Sequence, residues 1–184
     1  YSLLPEDQNR ILINWMADRY NWQVEPEWIV WLPGVVSALN ICCRAFAPDN
    51  GSVASFVPIY PPFLDAPANT GRILARVPMK EEGSRDVMDL AALDRIMTET
   101  GTRLLLLSSP HNPCGTLFTP KELEALAALC ARHDVLVCSD EIHADFILEE
   151  NQTHTPLAAV SDQARDRTIT LMAPSKTFNI PGLG

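Results

Sequence analysis

The 184-residue sequence contains no apolar run long enough to cross a membrane, and no basic-then-apolar leader opens it. A membrane anchor is therefore not expected. Basic residues are in short supply: 14 Lys and Arg stand against 23 Asp and Glu, a net charge of −9. That balance argues against nucleic-acid binding through a broad basic surface. No Cys-x-x-Cys pair occurs among the five cysteines, Cys42, Cys43, Cys114, Cys130 and Cys138. Three of them lie in apolar stretches, where a reduced thiol behaves as a small hydrophobe, so a cytoplasmic protein without disulfides is expected. The four histidines never adopt the close spacing of a zinc motif, and no metal site is predicted. An initiator methionine is missing too. The chain opens on Tyr1-Ser2-Leu3-Leu4 and stops at Pro181-Gly182-Leu183-Gly184, which predicts a piece of a longer polypeptide.

What is present is the composition of a folded domain. The chain is 47% hydrophobic and 20% charged, with aromatic and branched residues along its whole length, enough for a sizeable core. Ile11, Leu12, Trp15 and Met16 recur at helical spacing between Pro5 and about Tyr20, and Pro5 suits a first turn. Trp28 to Leu32 reads as a short buried strand ended by Pro33-Gly34, and Val35 to Ala47 has helical length. Strands are expected over Val53–Ile59, Ile73–Val77, Arg103–Leu107, Val135–Cys138 and Thr168–Met172. A helix is expected over Asp89–Glu99, with Glu81–Asp86 before it as a polar connection. Thr119-Pro120-Lys121-Glu122 is a capping box that starts another helix, running to about His133. The four tryptophans, Trp15, Trp22, Trp28 and Trp31, read as core. Strands alternating with helices predict a three-layer α/β/α fold around a mostly parallel sheet.

In such sheets ligands bind beyond the carboxyl ends of the strands. Four polar features fall there: Pro33-Gly34, His111-Asn112, Asp140 and Ser175-Lys176. Taken alone, each has an ordinary reading. Gly34 suits any tight strand-to-helix turn, Asp140 a turn or cap, and Lys176 a solvated loop charge. Taken together, they offer a different chemistry. Free N–H groups at a helix start suit a phosphate. A buried aspartate needs a cation or strong donors. A lysine amine that loses its proton forms imines and acts as a base.

Three runs then occur in order: Ser109-Pro110-His111-Asn112-Pro113-Cys114-Gly115, Ser139-Asp140-Glu141-Ile142-His143-Ala144-Asp145 and Ala173-Pro174-Ser175-Lys176-Thr177-Phe178-Asn179-Ile180-Pro181-Gly182-Leu183. Together they resemble the fold-type I pyridoxal 5'-phosphate (PLP) enzymes of the aminotransferase class I/II superfamily. Within these they are most similar to the cystathionine β-lyase-like carbon–sulfur lyases, the MalY/PatB group. The resemblance covers essentially the whole chain and implies part of the PLP-binding large domain, with an N-terminal segment and a C-terminal small domain elsewhere.

By that resemblance Lys176 is the catalytic lysine that holds the cofactor as a Schiff base. Asp140 is the carboxylate that keeps the pyridine nitrogen protonated. Asn112 hydrogen-bonds the phenolic oxygen, and His143 falls where many aminotransferases carry a tyrosine for the same oxygen. Val35 and Val36 match the helix-start amides that hold the phosphate, Tyr60 the aromatic residue stacked on the ring, and Ser175 a serine near the phosphate. One departure is Ala173, where many relatives have a serine or threonine contacting the phosphate. His111 is expected to bond locally, His133 to end a helix, and His154 to sit in a polar loop without a role.

The reaction implied is a β-elimination on cystathionine or a related cysteine S-conjugate, giving a thiol, pyruvate and ammonia. An aminotransferase of the same fold and a PLP-binding regulatory protein are the rival readings. The resemblance further implies a homodimer, a small amino-acid substrate, and a carboxylate-binding arginine outside this chain. The 184 residues alone are therefore expected to be inactive.

Overall fold

The structure, a computed structural model, describes residues 6–182. Pro5, Leu183 and Gly184, which carry sequence-based expectations above, lie outside the described residues, as does the Tyr1-Ser2-Leu3-Leu4 opening. The chain divides into two units, one up to Leu32 and one from Pro33 onward.

In the first unit the helical spacing is realised as α1, Glu6–Tyr20, with Met16 buried. Asn21 ends it in a left-handed conformation (φ 51°), its N–H donating to the Ala17 carbonyl at 3.0 Å. The expected strand at Trp28–Leu32 is absent. Pro26–Trp28 instead forms a 3-10 turn, and Trp31 Nε1 donates to Asn9 Oδ1 at 2.9 Å. A strand needs a neighbour's backbone groups, and no described strand pairs with this run. Its apolar side chains face outward, with Val30 74% and Trp28 50% exposed. Trp28 and Trp31 are thus not core residues, and Trp15 and Trp22 are only half-buried.

The second unit is a six-stranded sheet in the order β3-β2-β1-β4-β5-β6. The strands are β1 Ser52–Val57, β2 Ile73–Glu82, β3 Arg85–Met88, β4 Leu104–Ser108, β5 Leu136–Asp140 and β6 Thr168–Leu171. All neighbours pair parallel except β2 and β3. The longer helices are α2 Val35–Phe46, α3 Pro61–Asn69, α4 Leu90–Thr100 and α5 Pro120–Arg132. Two short ones, α6 Asp162–Arg165 and α7 Pro174–Thr177, flank β6.

Strand alternation sorts β4 between two cores. Leu104 and Leu106 pack with Val53, Cys138, Leu39 and Phe63 beneath α2 and α3. Leu105 and Leu107 pack with Phe56, Val77, Leu93 and Leu123 beneath α4 and α5. Both faces are covered, which is why the central strands are apolar throughout. The three-layer α/β/α expectation therefore holds.

One local expectation does not. Glu81–Asp86 is not a simple connection but the tip of a hairpin, in which Glu82 pairs with Arg85 across Gly83 (φ 66°) and Ser84. Its polar residues lie on an exposed edge, so no apolar alternation marked it. Pro61-Pro62 opens α3, because proline's fixed φ and missing N–H suit a first helical turn. The capping box of α5 forms as expected, Thr119 N–H donating to Glu122 Oε2 (2.7 Å) and Glu122 N–H to Thr119 Oγ1 (3.3 Å). Arg85 clamps the same carboxylate from the hairpin at 2.7 and 2.9 Å. Burial alone would raise the Glu122 pKa, but these hydrogen bonds outweigh it and hold the carboxyl at about 2.

All five cysteines are free thiols. Among the described residues no helix is long and apolar enough to cross a membrane, and no three His, Cys, Asp or Glu side chains converge as metal ligands.

Candidate cofactor-binding site

The parallel register brings the carboxyl ends of three strands side by side. Ser108 at the end of β4 lies opposite Asp140 at the end of β5, and Asp140 lies opposite Leu171 at the end of β6. The candidate residues follow from these ends.

Asp140 is 7% exposed. Its Oδ1 accepts the Ile142 N–H at 3.1 Å. Burial dominates its electrostatics and pushes its pKa up to about 7, helped by the neighbouring Glu141 charge and opposed by the Ile142 N–H and the Lys176 ammonium. A carboxylate in this position becomes comfortable when a cation or a charged donor meets it. The protonated pyridine nitrogen implied by the sequence resemblance is such a donor, so the residues present fit that group.

His143, half-buried beyond the same strand, has its pKa lowered by burial and then by Lys176. Asp140 and His143 therefore both stand within electrostatic reach of the Lys176 charge. Lys176 itself is exposed, on α7 rather than in a loop. Ala173, at the N-cap of α7, offers that turn no side-chain cap. Thr177 Oγ1 donates to Asp145 Oδ2 at 2.7 Å, tying the lysine-bearing turn to the segment after β5. Ser175 is half-buried, and its carbonyl accepts the Ile180 N–H at 2.9 Å.

Asn112 and Tyr60 are joined directly. The Asn112 carbonyl accepts the Tyr60 N–H at 3.2 Å, and Asn112 N–H donates to Ser108 Oγ at 3.3 Å. His111 reinforces this link. It is buried, with Nε2 2.9 Å from the Pro58 carbonyl and Nδ1 3.3 Å from the Ser108 carbonyl, and burial lowers its pKa. Tyr60 is left 43% exposed.

Gly34 leads into α2 at φ 104°, a conformation an L side chain rarely adopts, with no side-chain cap on the first amides. A Cβ there would meet open space. Val35 packs against the cluster that contains Leu171. Val36 turns its side chain outward, so a role for it rests on its backbone N–H.

His154 corrects the sequence reading. It is not an idle loop residue: it is 3% exposed, and its Nε2 lies 2.6 Å from Glu141 Oε2. Glu141, its partner, carries a signal in the sequence, since a carboxylate directly after an apolar strand needs buried donors.

A family model described as aminotransferase class I and II matches residues 4–184. The chain is 39% identical to cystathionine beta-lyase PatB of Bacillus subtilis (strain 168), over 100% of this chain and 47% of PatB. It superposes on the crystal structure of OvoB with TM-score 0.95 at 47% identity, covering 100% of this chain and 48% of that one. Cystalysin from Treponema denticola, whose structure contains a pyridoxal 5'-phosphate cofactor, gives TM-score 0.95 at 33% identity, covering 100% and 46%. The chain spans about half the length of the relatives it matches. With the strand ends, helix start and lysine turn in this arrangement, the chain belongs to the aminotransferase class I and II family.

Proposed function

We propose that this chain is the PLP-binding portion of a carbon–sulfur β-lyase that acts on cystathionine or a related cysteine S-conjugate. The observation that carries the cofactor reading is Asp140, a buried carboxylate whose raised pKa calls for a cationic donor. The lyase reading draws on the relatives named cystathionine beta-lyase and on His143 in place of an aminotransferase tyrosine.

Bound PLP supplies an aldehyde carbon that takes an amino group and a pyridinium ring that accepts electron density. Asp140 holds the proton on the ring nitrogen. Asn112 and His143 donate to the phenolic oxygen, and Tyr60 covers a face of the ring. The Val35 and Val36 N–H groups, with Ser175, take the phosphate. Lys176 Nζ would anchor the cofactor and, as a free amine, would take the α-proton of the substrate. In the overall reaction the amino acid and one water would give a thiol, pyruvate and ammonia.

The arginine that grips the substrate carboxylate, the second subunit of a homodimer, the N-terminal segment and the small domain all belong, in this reading, to the full-length protein. Incubating that protein with cystathionine tests the reaction. Pyruvate release equal to thiol release is expected. Keto-acid formation without pyruvate would replace the lyase with the aminotransferase of the same fold.

A further inference from the structure

Glu141 is fully buried, and each of its oxygens is occupied. Oε1 accepts Ser139 Oγ–H at 2.8 Å and Leu157 N–H at 3.1 Å, while Oε2 faces His154 Nε2 at 2.6 Å. Its backbone is held as well: the Glu141 N–H donates to the Leu171 carbonyl at 2.8 Å, and its carbonyl accepts Ala144 N–H at 3.0 Å. One residue thus joins the end of β5, the end of β6 and the segment that returns at Leu157.

Ser139 and Glu141 bond each other and so share one side of the chain, leaving Asp140 between them to face the other. A buried, hydrogen-bonded ion-pair geometry of this kind is a poor source of net stability, because desolvation consumes much of its Coulombic gain. Its physical value lies in fixing geometry. Asp140 directly precedes Glu141 in the chain, and His143 follows it by two residues.

We propose that His154 and Glu141 are positioning residues: the imidazole N–H on Glu141 Oε2 sets the turn that aims Asp140 and His143 at the cofactor. This inference rests on the PLP reading above. It requires a hydrogen-bond donor at position 154, not merely a side chain that fills space.

The test compares His154→Leu with His154→Gln in the full-length protein, reading the PLP dissociation constant, the visible circular dichroism of bound PLP, and the melting temperature without cofactor. His154→Leu is expected to weaken PLP binding about tenfold and change the dichroism, as loss of a hydrogen bond to a charged group implies. His154→Gln, which keeps an N–H donor, is expected to restore both. Parent-like binding and dichroism in His154→Leu would overturn the proposal, as would equal losses in both variants. Should His154→Leu fail to fold, His154→Asn, whose shorter amide falls short of Glu141, takes its place. Lys176→Ala serves as the control. If it keeps the parent's visible band, the PLP reading itself fails; if it loses the band while His154→Leu is parent-like, only the positioning role fails.

Discussion

Asp140 and Leu171 stand in register at the ends of adjacent parallel strands, and the chain beyond Leu171 brings the Lys176 charge within reach of the Asp140 carboxylate. The two titratable groups most important to the proposed chemistry therefore come from neighbouring strand ends, a relation that sequence distance hides.

Asp140 makes the cofactor-free protein sensitive to pH. Its folded pKa of about 7 lies above the unfolded 3.8, so the folded state holds this proton more tightly. The associated stability is complete below the unfolded value and is lost as pH rises through about 7. The expected loss is up to about 4 kcal/mol. Asp140→Asn should flatten this slope in chemical denaturation of the cofactor-free protein at a series of pH values, while weakening PLP binding.

Thr177→Val removes the donor to Asp145 and frees the turn that carries Lys176. Turnover by the full-length enzyme should fall about fivefold, in line with roughly 1 kcal/mol for one hydrogen bond. The melting temperature should move little, which separates a loosened lysine from a destabilised fold.

Leu106 is fully buried beneath α2 and α3, on the strand next to the one that ends in Asp140. Leu106→Ala should destabilise the protein by about 2–5 kcal/mol, the usual range for such a truncation. Urea denaturation measures this directly.

Arg85→Ala removes the two-pronged contact that joins the β2–β3 hairpin to the start of α5. Because the pair is partly exposed, its loss should cost only about 1 kcal/mol. Neither residue is a proposed PLP ligand, so PLP affinity should be unchanged in the same preparation.

Much of this fold is legible in the sequence because its strands are buried on both faces and its helices carry strong start signals. Leu104 to Leu107 and the Thr119–Glu122 capping box are the clearest cases. Trp28–Leu32 misled for a physical reason: an apolar run specifies burial only where a partner strand receives it. The hairpin at Gly83 was hidden by its polar edge. Most of the proposed site residues lie at or just after a strand end, and the family resemblance joins them into one site. His154 was not legible, since its importance comes from a contact with Glu141 across an irregular segment that no periodicity marks.

The most direct measurement is the visible absorbance of the full-length protein reconstituted with PLP, compared with that of Lys176→Ala. The account expects a band from lysine-bound cofactor in the parent and its loss in the variant, with free PLP recovered after dialysis. An unchanged band in Lys176→Ala would contradict it.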